Sequence, residues 1–129
     1  IQEASGDTKD ALETLDRLPL DLSQDPEVLL LRGRLHFAAL VAESPPEEQL
    51  QARLDKDPSD SEARYGLAAH RAAQGDYERA LELLLTLLRK DRGYGDDAAR
   101  KDMVLVFDLL GGDGELVSRY RGKMLNALY

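Results

Sequence analysis

Residues 75–88 read Gly75-Asp76-Tyr77-Glu78-Arg79-Ala80-Leu81-Glu82-Leu83-Leu84-Leu85-Thr86-Leu87-Leu88. Apolar side chains fall at 77, 80, 81, 84 and 88, the three-and-four spacing of one helical face. Gly75 can adopt the positive φ that closes a preceding helix, and Asp76 sets a carboxylate where the next one starts. The stretch is therefore a helix entered directly from another helix. Outward from it the same spacing returns at Ala11, Leu12, Leu15 and Leu18, at Val28, Leu31, Leu35 and Ala38, and at Ala63 and Leu67. It recurs at Ala99, Met103, Val106 and Leu110 and at Leu116, Tyr120, Met124 and Ala127. No two-residue alternation competes with it, and the Leu- and Ala-rich composition favours helix over strand. Further starts are marked by Asp25-Pro26, by Asp113 after Gly112, and by the box-like runs Ser44-Pro45-Pro46-Glu47 and Ser59-Asp60-Ser61-Glu62. The reading is all-α, about seven helices, with connectors short enough to force antiparallel hairpins.

A test for internal repetition separates a stacked array from a closed bundle. Gly75-Asp76, Ala80 and Leu84 repeat Gly6-Asp7, Ala11 and Leu15 at a distance of about two 34-residue periods. A unit over 27–60 lies between, followed by the clearest unit, 61–94, in which small Ala68 and Ala80 permit close approach while Tyr77 and Leu84 fill the gap between hairpins. This resembles the tetratricopeptide (TPR) repeat and predicts an antiparallel helix-hairpin solenoid. Arg64, Arg71 and Arg92 depart from the usual pattern, Pro45-Pro46 replaces Gly-Asp-Tyr in the middle unit, and its second helix reads as short. The last pair, about 95–110 and 113–128, reads as a divergent cap. Residues 1–129 form one domain in this reading. Gly6-Asp7 opens a second helix whose partner would precede Ile1, so a longer parent protein is expected.

The charge narrows the function. Seventeen basic and 25 acidic side chains give a net charge of −8, the opposite of the basic footprint that neutralises phosphates, so nucleic acid is not an expected partner. No apolar run approaches the ~18 residues of a membrane span. There is no cysteine, which removes thiolate metal sites, thiol nucleophiles and disulfides. His36 and His70 lack ligand-spaced companions and read as structural or solvated; no metal and no cofactor is expected. The serines sit at helix starts, and Gly93-Tyr94-Gly95 and Gly111-Gly112-Asp113-Gly114 follow no strand and precede no Lys-Ser/Thr pair, so they read as interhelical turns. No catalytic constellation emerges, and the chain is not expected to be an enzyme.

A more specific resemblance is carried by Asp57-Pro58-Ser59-Asp60-Ser61-Glu62-Ala63-Arg64-Tyr65 and by Gly75-Asp76-Tyr77-Glu78-Arg79-Ala80-Leu81. Asp96-Asp97-Ala98-Ala99-Arg100-Lys101, Val106-Phe107 with Leu109-Leu110-Gly111, and the ending Tyr120-Arg121 with Leu128-Tyr129 add to it. Over residues 57–129 these resemble the bacterial chaperedoxins, YbbN-type co-chaperones in which a thioredoxin-like domain precedes a TPR domain. The resemblance implies a cytoplasmic bacterial protein that holds unfolded clients and hands them to the chaperonin, with its C-terminal helix as the docking element.

Two candidate surfaces follow. Residues 116–129 carry Arg119, Arg121 and Lys123 with no acidic side chain, in an acidic chain. These cations either complement the helix C-terminal dipole and stay solvated, or, with Tyr120, Leu125, Leu128 and Tyr129, form a basic, partly apolar edge for an acidic and hydrophobic partner. The second candidate is the concave groove of a generic TPR scaffold, where Arg64, His70 and Arg71 could offer donors to a peptide carboxylate or acidic segment. The competing reading for these arginines is ordinary surface pairing with Glu62 or Glu78. The Lys and Asn of the carboxylate clamp found in Hsp70/Hsp90 adaptors are replaced here by Tyr65 and Ala69.

Overall fold

A computed structural model describes residues 10–19, 22 and 24–129. Among them are seven helices and no strand: α1 (10–16), α2 (Pro26–Ala42), α3 (Glu47–Lys56), α4 (Ser61–Ala73), α5 (Tyr77–Lys90), α6 (Ala98–Leu109) and α7 (Glu115–Leu128). This is the helical repeat array expected, with the unit 61–94 resolved as α4 and α5 and the short second helix of the middle unit as α3. Gly6-Asp7 lies outside the described residues.

Two helix starts are as read. The Asp25 carboxylate accepts from Glu27 N at 2.9 Å with Pro26 in the first turn, and Asp76 accepts from Arg79 N at 3.4 Å. The other three differ. Asp60, not Ser59, caps α4 by accepting from Ala63 N at 3.0 Å, because Ser59 turns back on Asp57, donating through both its backbone N (3.1 Å) and its Oγ (2.7 Å) in an Asx-type turn. Pro46 stands at the start of α3 with no side-chain cap; Ser44, held one residue too early by the proline pair, donates to Pro45 O instead. Gly114 replaces Asp113 before α7, with φ 103° and ψ 172°, a backbone conformation essentially confined to glycine. Gly75 closes α4 at φ 83°, bringing Asp76 N onto Arg71 O at 2.9 Å, so one turn ends a helix and caps the next.

The core centres on α5, where Ala80, Leu81, Leu84, Leu85, Leu87 and Leu88 are at most 1% exposed. Its apolar side chains nearly encircle it because α4, α6 and α7 all pack on it. Ala68, Ala69 and Ala80 keep α4 and α5 close, their most extensive pairing in the array. Burying each such leucine stabilises the fold by about 1.5–3 kcal/mol. Helix α2 lies against both α4 and α6, and at Gly33 an added Cβ would stand 3.0 Å from Leu109 Cγ of α6. The three helices thereby share one side of the molecule, and that side holds the polar features described next.

Candidate functional site

Asp102 on α6 is 2% exposed, yet it is satisfied from two other helices. Tyr65 of α4 donates its hydroxyl to Asp102 Oδ2 at 2.6 Å, and Nε2 of His36 on α2 lies 2.9 Å from Oδ1. A buried carboxylate unpaired would be expensive, so this network fixes how α2, α4 and α6 meet. Of the two readings of His36, structural or solvated, its contact with Asp102 favours the structural one. Asp102 itself went unnoticed in the sequence, although its place between Ala99, Met103 and Val106 puts it on the core-facing side of its helix.

Beside this hub is a cleft of about 220 Å³. Leu40 and the fully buried Leu50 line its apolar part, Tyr65 and Tyr94 present their rings, and Glu43 and Glu62 stand exposed at its edge. The two rings are 5.7 Å apart and inclined at 53°. Tyr94 is presented by a tight turn, confirming that Gly93-Tyr94-Gly95 is interhelical; Gly95, Asp96 and Asp97 follow at φ 60°, 58° and 68°, with Asp97 paired to Arg100 at 2.6 Å. Burial raises the Tyr94 hydroxyl pKa first, and the nearby carboxylates of Glu62, Asp60 and Asp91 raise it further. Burial followed by Asp102 does the same for Tyr65.

Of the three residues expected to offer donors in the groove, Arg64 is buried and His70 and Arg71 are engaged within the chain. Arg64 is 7% exposed. His70 Nε2 lies 3.0 Å from Pro45 O in the α2–α3 turn. Arg71 pairs with Glu47 Oε2 at 3.0 Å and more loosely with Asp76 at 3.7 Å. The surface-pairing alternative describes Arg71, with different partners: Glu62 is taken by Arg53 and Glu78 by Arg119.

Helix α7 divides the other expected set. Tyr120 is 4% exposed and donates its hydroxyl to the Glu82 carboxylate; burial first, then that bond, pushes its pKa up to about 12. Leu128 packs partly against the core. Arg119 reaches Glu78 at 2.6 Å, Lys123 lies 5.0 Å from the Tyr120 ring, and Arg121 lies 5.4 Å from the Phe107 ring while donating to Gly112 O at 3.3 Å. No basic side chain occupies the last turn, so the helix-dipole explanation does not apply: Arg119 and Arg121 tie α7 to α5 and α6, and Lys123 lies over a ring of its own helix. Leu125 and Tyr129, 46% and 99% exposed, point outward.

No group of three or more His, Asp or Glu suited to a metal ion occurs among the described residues, and no helix among them is long and apolar enough to cross a membrane. A family model described as tetratricopeptide repeat matches residues 41–129. A Haemophilus influenzae protein described as uncharacterized is 27% identical over 122 residues, a match covering 95% of this chain and 55% of the relative. The chain thus spans about half the length of the curated relative it matches. No solved structure matches. With helix pairs, glycine-closed turns and small residues between α4 and α5 coinciding with the matched span, the chain belongs to the tetratricopeptide repeat family.

Proposed function

We propose that this chain, a protein-interaction module by its family, serves a co-chaperone of the chaperedoxin type in the bacterial cytoplasm, following a thioredoxin-like domain in the parent protein. In this reading it docks on the chaperonin through α7 and contributes to holding unfolded clients. Support comes from the residues of 57–129 that carry the resemblance. The observation that carries the docking is the exposure of Leu125 and Tyr129 on a helix otherwise anchored by Val117, Tyr120 and Met124. An anchored helix presents its outward side chains with little ordering cost on binding.

The test is capture of purified bacterial chaperonin by the immobilised chain, compared with the double variant Leu125→Asp/Tyr129→Ser. Both positions are surface-exposed, so circular dichroism should show an intact helix array. Capture is expected to fall at least about tenfold on removal of two exposed apolar contacts. Equal capture by a folded variant refutes α7 as the docking element.

A further inference from the structure

The cleft between α2, α4 and the α5–α6 turn has a chemistry opposite to the one the groove arginines suggested. Arg64 is buried and His70 and Arg71 are engaged elsewhere, while Leu40, Tyr65, Tyr94 and the Glu62 carboxylate, which is shared with Arg53, line the cleft. We propose that this cleft receives a lysine or arginine side chain projecting from a segment of a partner protein.

Size is the first support. About 220 Å³ exceeds what one or two ordered waters need and falls below the roughly 300–1,000 Å³ typical of small-molecule pockets. One long side chain suits it better than a whole metabolite. The arrangement of surfaces is the second. Leu40 offers apolar area to an aliphatic stem above the buried Leu50, and the Tyr65 and Tyr94 rings line the cleft where π systems attract the cation at its end. Charge is the third. Asp60, Glu62 and Asp91 all act on the Tyr94 hydroxyl, opposed there by a single guanidinium, that of Arg53, which is itself bonded to Asp60 and Glu62. A chain of net charge −8 adds a long-range field of the same sign. The cleft shares no element with the exposed residues of α7, so this inference stands apart from chaperonin docking.

The probes are three capped dipeptides, acetyl-Leu-Lys-amide, acetyl-Leu-Arg-amide and acetyl-Leu-Glu-amide, titrated into the ¹⁵N-labelled 129-residue chain. The two basic probes are expected to shift the amide signals of Tyr65, Gly66 and Tyr94 saturably, less so in high salt, and the acidic probe to leave them in place. Tyr94→Ala should weaken the basic probes about fivefold and Tyr94→Phe, which keeps the ring, should not. Equal response to all three probes, or no response at these residues, overturns the proposal. If Tyr94→Ala does not fold, Glu62→Gln decides: about twofold weaker binding with a flatter salt dependence supports it, and unchanged binding overturns it.

Discussion

Removing one oxygen atom, by Tyr65→Phe, tests the hub that joins α2, α4 and α6. The substitution keeps the ring and deletes only the hydroxyl that donates to Asp102 at 2.6 Å. The Asp102 side chain is 3% exposed, so water has little access to the oxygen left behind. A hydrogen bond to a charged group contributes about 1.5–3 kcal/mol, and here most of it should be lost. The unfolding constant then rises about 10- to 150-fold, and a urea midpoint near those of similar small domains moves down by about 1 M. Helicity followed by circular dichroism through a urea titration measures it. His36→Leu should cost less, because the His36 side chain is 31% exposed and water can replace its contact with Oδ1. The double variant leaves the carboxylate buried without either partner, so its cost should exceed the sum of the single losses. A Tyr65→Phe loss below about 0.5 kcal/mol, or simple additivity in the double variant, refutes the view of Asp102 as a desolvated carboxylate held by two donors.

Two glycine substitutions of opposite sign test the packing. In Gly66→Ala the new Cβ would stand 2.8 Å from Leu50 Cδ1, a side chain only 1% exposed, so overpacking outweighs the gain in helix propensity and stability falls by about 0.5–2 kcal/mol. In Gly122→Ala nothing lies within 4 Å, and propensity alone raises stability by about 0.5–1 kcal/mol; thermal melts of the pair check both signs. The third prediction concerns acid. The Ala63 N–H, then the Arg53 guanidinium, hold the Asp60 carboxyl below its usual range. The folded state therefore binds a proton less readily than the unfolded chain, so this contribution is present above the ordinary carboxylate range and fades as pH falls through the folded value. Asp60→Asn should flatten the decline of urea midpoint below about pH 4, and an identical slope would disprove the assignment.

Helix content and the order of hairpins were legible because the three-and-four spacing and the glycine turns are local signals. Cap positions were legible only where one residue had no rival. Asp25 and Asp76 behaved as read, but Ser59 was drawn to Asp57, Ser44 was displaced by two prolines, and Asp113 yielded to Gly114. Each miss is a competition between neighbours decided by backbone geometry one residue away. The groove donors differ for another reason: the partners that hold Arg71 and His70 come from α3 and the turn before it, 24 or 25 residues upstream, beyond the reach of local spacing. The place of Asp102 with Ala99, Met103 and Val106 marks it as core-facing, but the donors that make its burial tolerable come from α2 and α4, 66 and 37 residues upstream.

Tyr65 joins the structural and the functional arguments, since its two ends face different work. Its hydroxyl is committed to Asp102, and its ring stands with Tyr94 at the cleft. Loss of the hydroxyl should lower stability while leaving a cationic side chain's affinity for the folded protein unchanged, because the quadrupole that attracts a cation belongs to the ring. Loss of the Tyr94 ring should weaken the cation's binding while leaving the Tyr65–Asp102 hydrogen bond in place, because Tyr94 meets the ring of Tyr65 rather than its hydroxyl. If instead both changes move affinity and stability in parallel, the cleft is only a by-product of the hub's packing. A clean separation would mean that Tyr65 fixes the helices with its oxygen and helps select a cationic partner with its ring.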